Sequence, residues 1–112
     1  HGTDHHANSA YPALEYTLQA LGYDRIHVAT VEGFPELKDV MHRIEQRQYR
    51  KVALLPFMFV AGDHAKNDMA GDEDSWKCEL EEAGYEVRPI LRGLGELPGI
   101  RQIFMEHLEE AQ

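Results

Sequence analysis

Residues 51–59, KVALLPFMF, decide the fold class of this chain. Their nearly continuous apolar run is typical of a strand buried on both faces, and such strands belong to parallel sheets covered by helices. Pro56 lacks the backbone N–H that a central strand uses, so we place it at the C-terminal end of the strand. The stretch therefore predicts an internal strand of a parallel sheet.

Helical and strand patterns alternate on both sides of this strand. The predicted helices cover residues 8–21, 35–47, 72–83 and 97–111, and the other predicted strands cover residues 25–30 and 85–91. This alternation predicts an α/β fold: a parallel sheet flanked by helices on both faces, in a flavodoxin-like three-layer arrangement. We expect one domain, residues 1–112.

Composition excludes several classes of function. The chain has 112 residues and a formal net charge of −9, from 20 acidic and 11 basic residues. This charge argues against nucleic acid and against an anionic membrane surface as partners. No apolar run approaches the roughly 20 residues needed to cross a bilayer. No GxGxxG motif follows a strand and no GxxxxGK[ST] motif occurs, so we expect no nucleotide site. The only cysteine, Cys78, lies beside acids, which argues against a catalytic thiol.

Three segments with polar side chains come directly after strands. They are residues 1–6 (HGTDHH), 31–35 (VEGFP) and 61–65 (AGDHA). The first would suit a loop after a strand, so we expect a strand upstream of residue 1. The carboxyl ends of parallel strands share one edge of a sheet, so His1, Glu32 and His64 are expected to converge. Two imidazoles and one carboxylate suit Co²⁺, Ni²⁺, Fe²⁺ or Zn²⁺ and leave positions open for an incoming ligand.

Simpler interpretations stand beside this metal site. A loop histidine is usually a solvated polar residue, and Glu32 could instead stabilise the N-terminus of the following helix. His5 and His6 could line a cleft or serve the start of the first helix. Packing or surface exposure is the simpler reading for the other three histidines, His27, His42 and His107. Asp72 or Asp74 is expected to cap the helix over residues 72–83.

Four segments of the chain resemble a known family. They are HGTDHHA (residues 1–7, with Tyr11 beyond it), LPFMFVAGDHAKNDMA (55–70), DSWK (74–77) and GLGE (93–96). They are similar to the anaerobic-pathway sirohydrochlorin cobaltochelatases, which are class II chelatases with a ferrochelatase-like fold. The resemblance covers essentially this whole chain but only the C-terminal half of the family's protein. It implies two α/β halves with a tetrapyrrole in the cleft between them.

The resemblance implies a function and roles for named residues. His1, Glu32 and His64 would bind the metal, and His1 or His64 would accept protons from the pyrroles. Co²⁺ would be inserted into sirohydrochlorin without ATP, on the anaerobic cobalamin route. The eight carboxylates of sirohydrochlorin would need positive groups, for which the candidates are Lys66, Arg88 and Arg92.

Several alternatives stay open at this stage. Fe²⁺ or Ni²⁺ could replace Co²⁺, and a non-catalytic metal carrier or a plain α/β interaction domain could use the same fold. The expected partner is an N-terminal half-domain, which in some relatives binds haem through a histidine. We expect a cytoplasmic protein, with the periplasm as the alternative, and leave a homo-oligomer open.

Overall fold

The computed structural model describes residues 1–111. These residues form two compact units, His1–Arg50 and a second that begins at Lys51. The first unit contains helices α1 (Ala10–Ala20) and α2 (Leu37–Ile44), with short 3-10 turns at His6–Ser9 and Glu45–Arg47. The elements of the second unit are strands β1 (Lys51–Leu54) and β2 (Glu86–Pro89), helices α3 (Asp63–Ala70), α4 (Trp76–Glu82) and α5 (Pro98–Ala111), and a 3-10 turn at Leu94–Glu96.

The two strands of the second unit confirm the α/β class and the parallel pairing. β1 and β2 run parallel in a two-stranded sheet, with Lys51 opposite Glu86 and Leu54 opposite Pro89. The pairing continues past the strand ends, because the Ile90 amide donates to the Leu54 carbonyl at 2.8 Å. Helices α3 and α4 link the strands, which is the crossover that a parallel pair needs.

The stretch that predicted this strand differs from the prediction in length and in burial. β1 ends at Leu54, although the apolar run continues to residue 59. Burial alternates along the run: Leu54 and Pro56 are buried, whereas Leu55 and Phe57 are 60% and 57% exposed. Such a period of two marks an extended segment with one covered face. The expectation of burial on both faces was therefore wrong for these residues.

The predicted strand over residues 25–30 was also wrong. These residues are assigned to no strand. A strand needs the backbone groups of a neighbouring strand, and here they bond elsewhere. The Val28 amide donates to the Glu15 carboxylate at 2.6 Å, and the Thr30 amide donates to the Pro35 carbonyl at 2.7 Å.

Helix α3 occupies a segment that the sequence pattern placed in a loop. It begins after Gly62, and Ala65 and Met69 face inward. Four residues separate this pair, so both lie on one face of the helix. The remaining residues of the helix are polar or charged apart from Ala70. The sequence therefore shows too little apolar periodicity to predict a helix here. α4 begins at Trp76, later than the predicted residue 72.

Ser75 caps α4, where Asp72 or Asp74 was expected. Its hydroxyl accepts a hydrogen bond from the Cys78 amide at 3.3 Å and donates one to the Gly71 carbonyl at 2.7 Å. The side chain is fully buried, so the hydroxyl has both partners inside the protein. This cap joins the end of α3 to the start of α4.

Helices α2 and α5 differ in how many of their residues are buried. Helical spacing places Leu37, Val40, Met41 and Ile44 on one face of α2; Met41 is half-buried and the other three are buried. In contrast, α5 has no buried residue, and its Phe104 makes an edge-to-face contact with Phe59 at 5.4 Å between ring centroids. Within residues 1–111, no helix is both long enough and apolar enough to cross a membrane.

A charged cluster around the buried Glu15 links α1 to α2 through an ion pair with Arg43. Glu15 on α1 is 6% exposed and accepts hydrogen bonds from the Arg43 guanidinium and from the Val28 amide. Burial alone would raise the pKa of Glu15, but the hydrogen bonds from Arg43 and Val28 hold this pKa below its ordinary value of 4.5. Because Glu15 is buried, loss of Arg43 would leave its carboxylate poorly solvated and would cost free energy.

His27 lies beside this cluster. Its Nδ1 is 3.8 Å from Glu15 Oε1, and both ring nitrogens are buried without a hydrogen-bond partner. Burial lowers the pKa of the His27 imidazole below its ordinary value of 6.5, against the opposing attraction of Glu15. The packing role expected for His27 is confirmed, although it does not lie in a strand.

The core of the second unit can be tested at Leu80, which is 1% exposed. We expect Leu80→Ala to lower the free energy of unfolding by about 2–5 kcal/mol, because it removes buried methyl groups and leaves a cavity. Urea unfolding measures this loss. Leu21→Ala, at a residue that is 69% exposed, is the control and should change stability little. Equal losses for the two variants would contradict the assignment of the core.

The buried His27 predicts a pH dependence of stability. A folded-state pKa below 6.5 means that the unfolded chain binds a proton more readily, so the free energy of unfolding falls as the pH drops below about 7. We expect His27→Gln to flatten this fall between about pH 7 and about pH 5. His42→Gln, at a largely exposed side chain, should keep the wild-type slope. Identical slopes for wild type and His27→Gln would refute the prediction.

Candidate metal centre

Two of the three predicted metal ligands lie side by side in the first unit. His1 Nδ1 is 3.6 Å from Glu32 Oε2, and both side chains are more than half exposed. The distance is too long for a hydrogen bond. It allows a weak ion pair if the imidazole carries a proton, and it also suits two donors that share one ion.

The separation agrees with metal geometry. Imidazole nitrogens and carboxylate oxygens bind a tetrahedral ion at about 2.1 Å, which places two such donors about 3.4 Å apart. The observed 3.6 Å between Nδ1 and Oε2 is close to this value. Exposure of both side chains leaves the remaining coordination positions accessible to a further ligand or a substrate nitrogen.

The backbone around His1 and Glu32 explains why these residues meet. The His1 carbonyl accepts hydrogen bonds from the amides of both Val31 and Glu32, each at 2.9 Å. Residues some thirty positions apart in sequence are thereby held at one carbonyl oxygen. The position of Glu32 relative to His1 is therefore set by main-chain bonds and not by the flexible side chains.

Gly2 permits this close approach of the two loops. Its φ of +90° lies in a region that residues with a Cβ rarely adopt. A Cβ on Gly2 would also come within 2.7 Å of Thr30 Cβ and 2.8 Å of the Gly33 amide nitrogen. His1 and Gly2 belong to the HGTDHHA segment that carries the family resemblance. The backbone explains this pair locally, because the residue after His1 must be glycine.

Thr30 shapes the loop that carries Glu32. Its hydroxyl donates to the Pro35 carbonyl and accepts from the Gly33 amide, both at 3.0 Å. Only 2% of Thr30 is exposed, so these bonds are shielded from water and are costly to lose. Thr30 was not among the predicted site residues, although a hydroxyl at the end of an extended segment is a recognised signal for a turn.

His64, the third predicted ligand, lies in the second unit. It occupies the first turn of α3 and is exposed, not in the loop that was predicted for it. The extended segment before α3 is held by residues of the GLGE motif: the Leu94 amide donates to the Met58 carbonyl at 2.6 Å, and the Gly95 amide to the Phe59 carbonyl at 3.0 Å. Each ligand-bearing segment is thus anchored within its own unit.

Among residues 1–111, the side chains of His, Cys, Asp and Glu form no group of three that could hold one metal ion. His1 and Glu32 form a pair within the first unit. The three-ligand set of His1, Glu32 and His64 stays a prediction.

The other histidines follow the simpler interpretations. His5 caps the 3-10 turn His6–Ser9, where its Nδ1 accepts from the Ala7 amide at 3.1 Å, and the His6 ring stacks on it at 3.9 Å between centroids. His42 on α2 and His107 on α5 are exposed. None of these positions indicates a second metal ligand set.

Comparison with known proteins identifies the family. The family model described as Cobalt chelatase (CbiK) matches residues 1–112. The chain is 43% identical over 112 residues to the Sirohydrochlorin cobaltochelatase of Salmonella typhimurium, covering 99% of this chain and 42% of that protein. It is 38% identical over 112 residues to the Sirohydrochlorin cobaltochelatase CbiKC of Nitratidesulfovibrio vulgaris, covering 99% of this chain and 39% of that protein.

The two relatives are each more than twice as long as this chain, which spans about two fifths of their length. The four segments that carried the sequence resemblance all lie within the matched residues. Because the family model matches the chain from its first residue to its last, the chain belongs to the cobalt chelatase (CbiK) family.

Proposed function

We propose that this chain supplies the metal-binding part of an enzyme that inserts Co²⁺ into sirohydrochlorin. The observation that carries the proposal is the His1–Glu32 pair, whose donor atoms are 3.6 Å apart in a chain of the cobalt chelatase family. Two relatives that bear the name sirohydrochlorin cobaltochelatase support this substrate. A borderline ion such as Co²⁺ suits imidazole and carboxylate donors.

His64 is the third ligand in this proposal. Its position in the first turn of α3 leaves the imidazole exposed and therefore available to a metal. With three protein donors, the substrate Co²⁺ keeps open positions into which tetrapyrrole nitrogens can enter. A modest number of protein ligands also lets the ion leave, because four ring nitrogens replace the protein donors one after another.

Protons must leave the macrocycle as the metal enters. Each of two pyrrole N–H bonds breaks, its electron pair forms a nitrogen–cobalt bond, and its proton goes to a base. Neutral imidazole is a suitable base near pH 7. We assign this role to His1 or His64, whichever side chain has been released by the metal. One imidazole accepts one proton at a time, so it passes the first proton to water before it accepts the second. Glu32 keeps a negative charge near the ion during the transfer, and no step requires ATP.

The negative charge of the substrate requires local compensation. The chain carries a net charge of −9, and sirohydrochlorin is a polycarboxylate. Lys66, Arg88 and Arg92 of the second unit are all exposed, and they are our candidates for binding its carboxylates. The other wall of the cleft is assigned to a second half-domain, as in the two-half architecture that the resemblance implies.

The experiment measures Co²⁺ insertion by the absorbance change of sirohydrochlorin, with full-length protein. We expect His64→Ala and Glu32→Gln each to lower the insertion rate by about a hundredfold or more, the scale of losing a proton acceptor or a metal donor. His107→Ala, at an exposed histidine on α5, is the matched control and should retain the wild-type rate. Near-wild-type insertion by His64→Ala would remove this residue from the mechanism.

A further inference from the structure

Asn8 connects the two loops that carry His1 and Glu32. It lies in the 3-10 turn His6–Ser9, and its side-chain amide bonds to backbone groups at both ends. Oδ1 accepts from the Thr3 amide at 3.0 Å, and Nδ2 donates to the Phe34 carbonyl at 2.6 Å. Thr3 comes two residues after His1, and Phe34 comes two residues after Glu32.

The amide of Asn8 is closely confined. A Cβ placed on Gly33 would lie 2.3 Å from Asn8 Oδ1 and 2.8 Å from Asn8 Cγ. The amide therefore occupies the space that a side chain at position 33 would take. The hydrogen bonds at both ends hold the Asn8 amide in this position, which makes the side chain a link between the two loops.

Helix capping does not account for this arrangement. The cap of the 3-10 turn is His5, and the residue before α1 is Ser9, whose side chain makes no capping hydrogen bond. The hydrogen bonds of the Asn8 side chain are directed away from α1, to the two loops. Its role is thus a cross-link between two loops, one at Thr3 and the other at Phe34, which lies 26 positions after Asn8.

We infer that Asn8 is a positioning residue, which holds the loops of His1 and Glu32 at the separation that a shared metal ion requires. This inference rests on the proposed function, because it concerns the geometry of the same metal pair. Groups that orient metal ligands without touching the metal commonly change metal affinity by 10–100-fold, as a rough range. Asn8 would act through the backbone of both loops at once.

The test compares Asn8→Ala and Gly33→Ala with Ser9→Ala in full-length protein. Asn8→Ala removes both bonds, and Gly33→Ala displaces the amide while keeping Asn8. Ser9→Ala is the control, since it changes the neighbouring residue without losing a capping bond. Three quantities are measured: the Co²⁺ dissociation constant, the visible absorption spectrum of bound Co²⁺ at saturation, and the urea midpoint without metal.

We expect Asn8→Ala and Gly33→Ala each to weaken Co²⁺ binding about tenfold or more and to alter the cobalt spectrum, which reports coordination geometry. The double variant should lose less than the sum of the two single losses, because both act on the same amide. Ser9→Ala should match wild type in affinity and spectrum. If Asn8→Ala does not fold, Gly33→Ala alone is compared with Ser9→Ala in affinity and spectrum.

The outcomes separate this inference from the proposed function. If wild type binds no Co²⁺, or if Glu32→Gln binds it as well as wild type, the proposed metal pair fails and the role of Asn8 fails with it. If Glu32→Gln weakens binding while Asn8→Ala and Gly33→Ala match Ser9→Ala, the inference alone is overturned. A lowered urea midpoint with unchanged affinity and spectrum also overturns it, because that pattern is purely structural.

Discussion

One carbonyl oxygen holds the candidate metal centre together. The backbone oxygen of His1 accepts the amides of Val31 and Glu32, and every other feature of the first unit's site either permits or reinforces this contact. Gly2 allows the loops to approach, since any Cβ there would collide with Thr30. The buried Thr30 hydroxyl shapes the second loop. Metal affinity is sensitive to such support, because donors must be held in place before the ion arrives.

The α/β class and most helices could be predicted because they depend on local patterns. Helical periodicity alone places Leu37, Val40 and Ile44 on one face of α2, and all three are buried. The proximity of His1 to Glu32 was expected from the rule that the ends of parallel strands share an edge. Residues 25–30 form no strand, so the reason is a different one: the amides of Val31 and Glu32 donate to the His1 carbonyl.

Other features depend on partners that no local pattern reveals. The pattern predicted that residues 25–30 form a strand paired with a neighbouring strand. Instead, the Val28 amide of this segment donates to the Glu15 carboxylate on α1. Helix α3 carries only Ala65 and Met69 as a buried pair, too few apolar residues to indicate a helix beforehand. The hydrogen bonds of Thr30 and Asn8 reach backbone groups that only folding brings near. In each case the deciding interaction is tertiary.

The most direct test of the account is whether His1 and Glu32 bind one ion. Calorimetric titration of Co²⁺ into full-length wild type, His1→Ala, Glu32→Gln and the double variant measures the coupling between the two side chains. If both bind the same ion, removing the second ligand costs less once the first is gone, so the double variant loses less affinity than the two single variants combined. Strictly additive losses, or affinity that neither substitution changes, would contradict a shared metal ion.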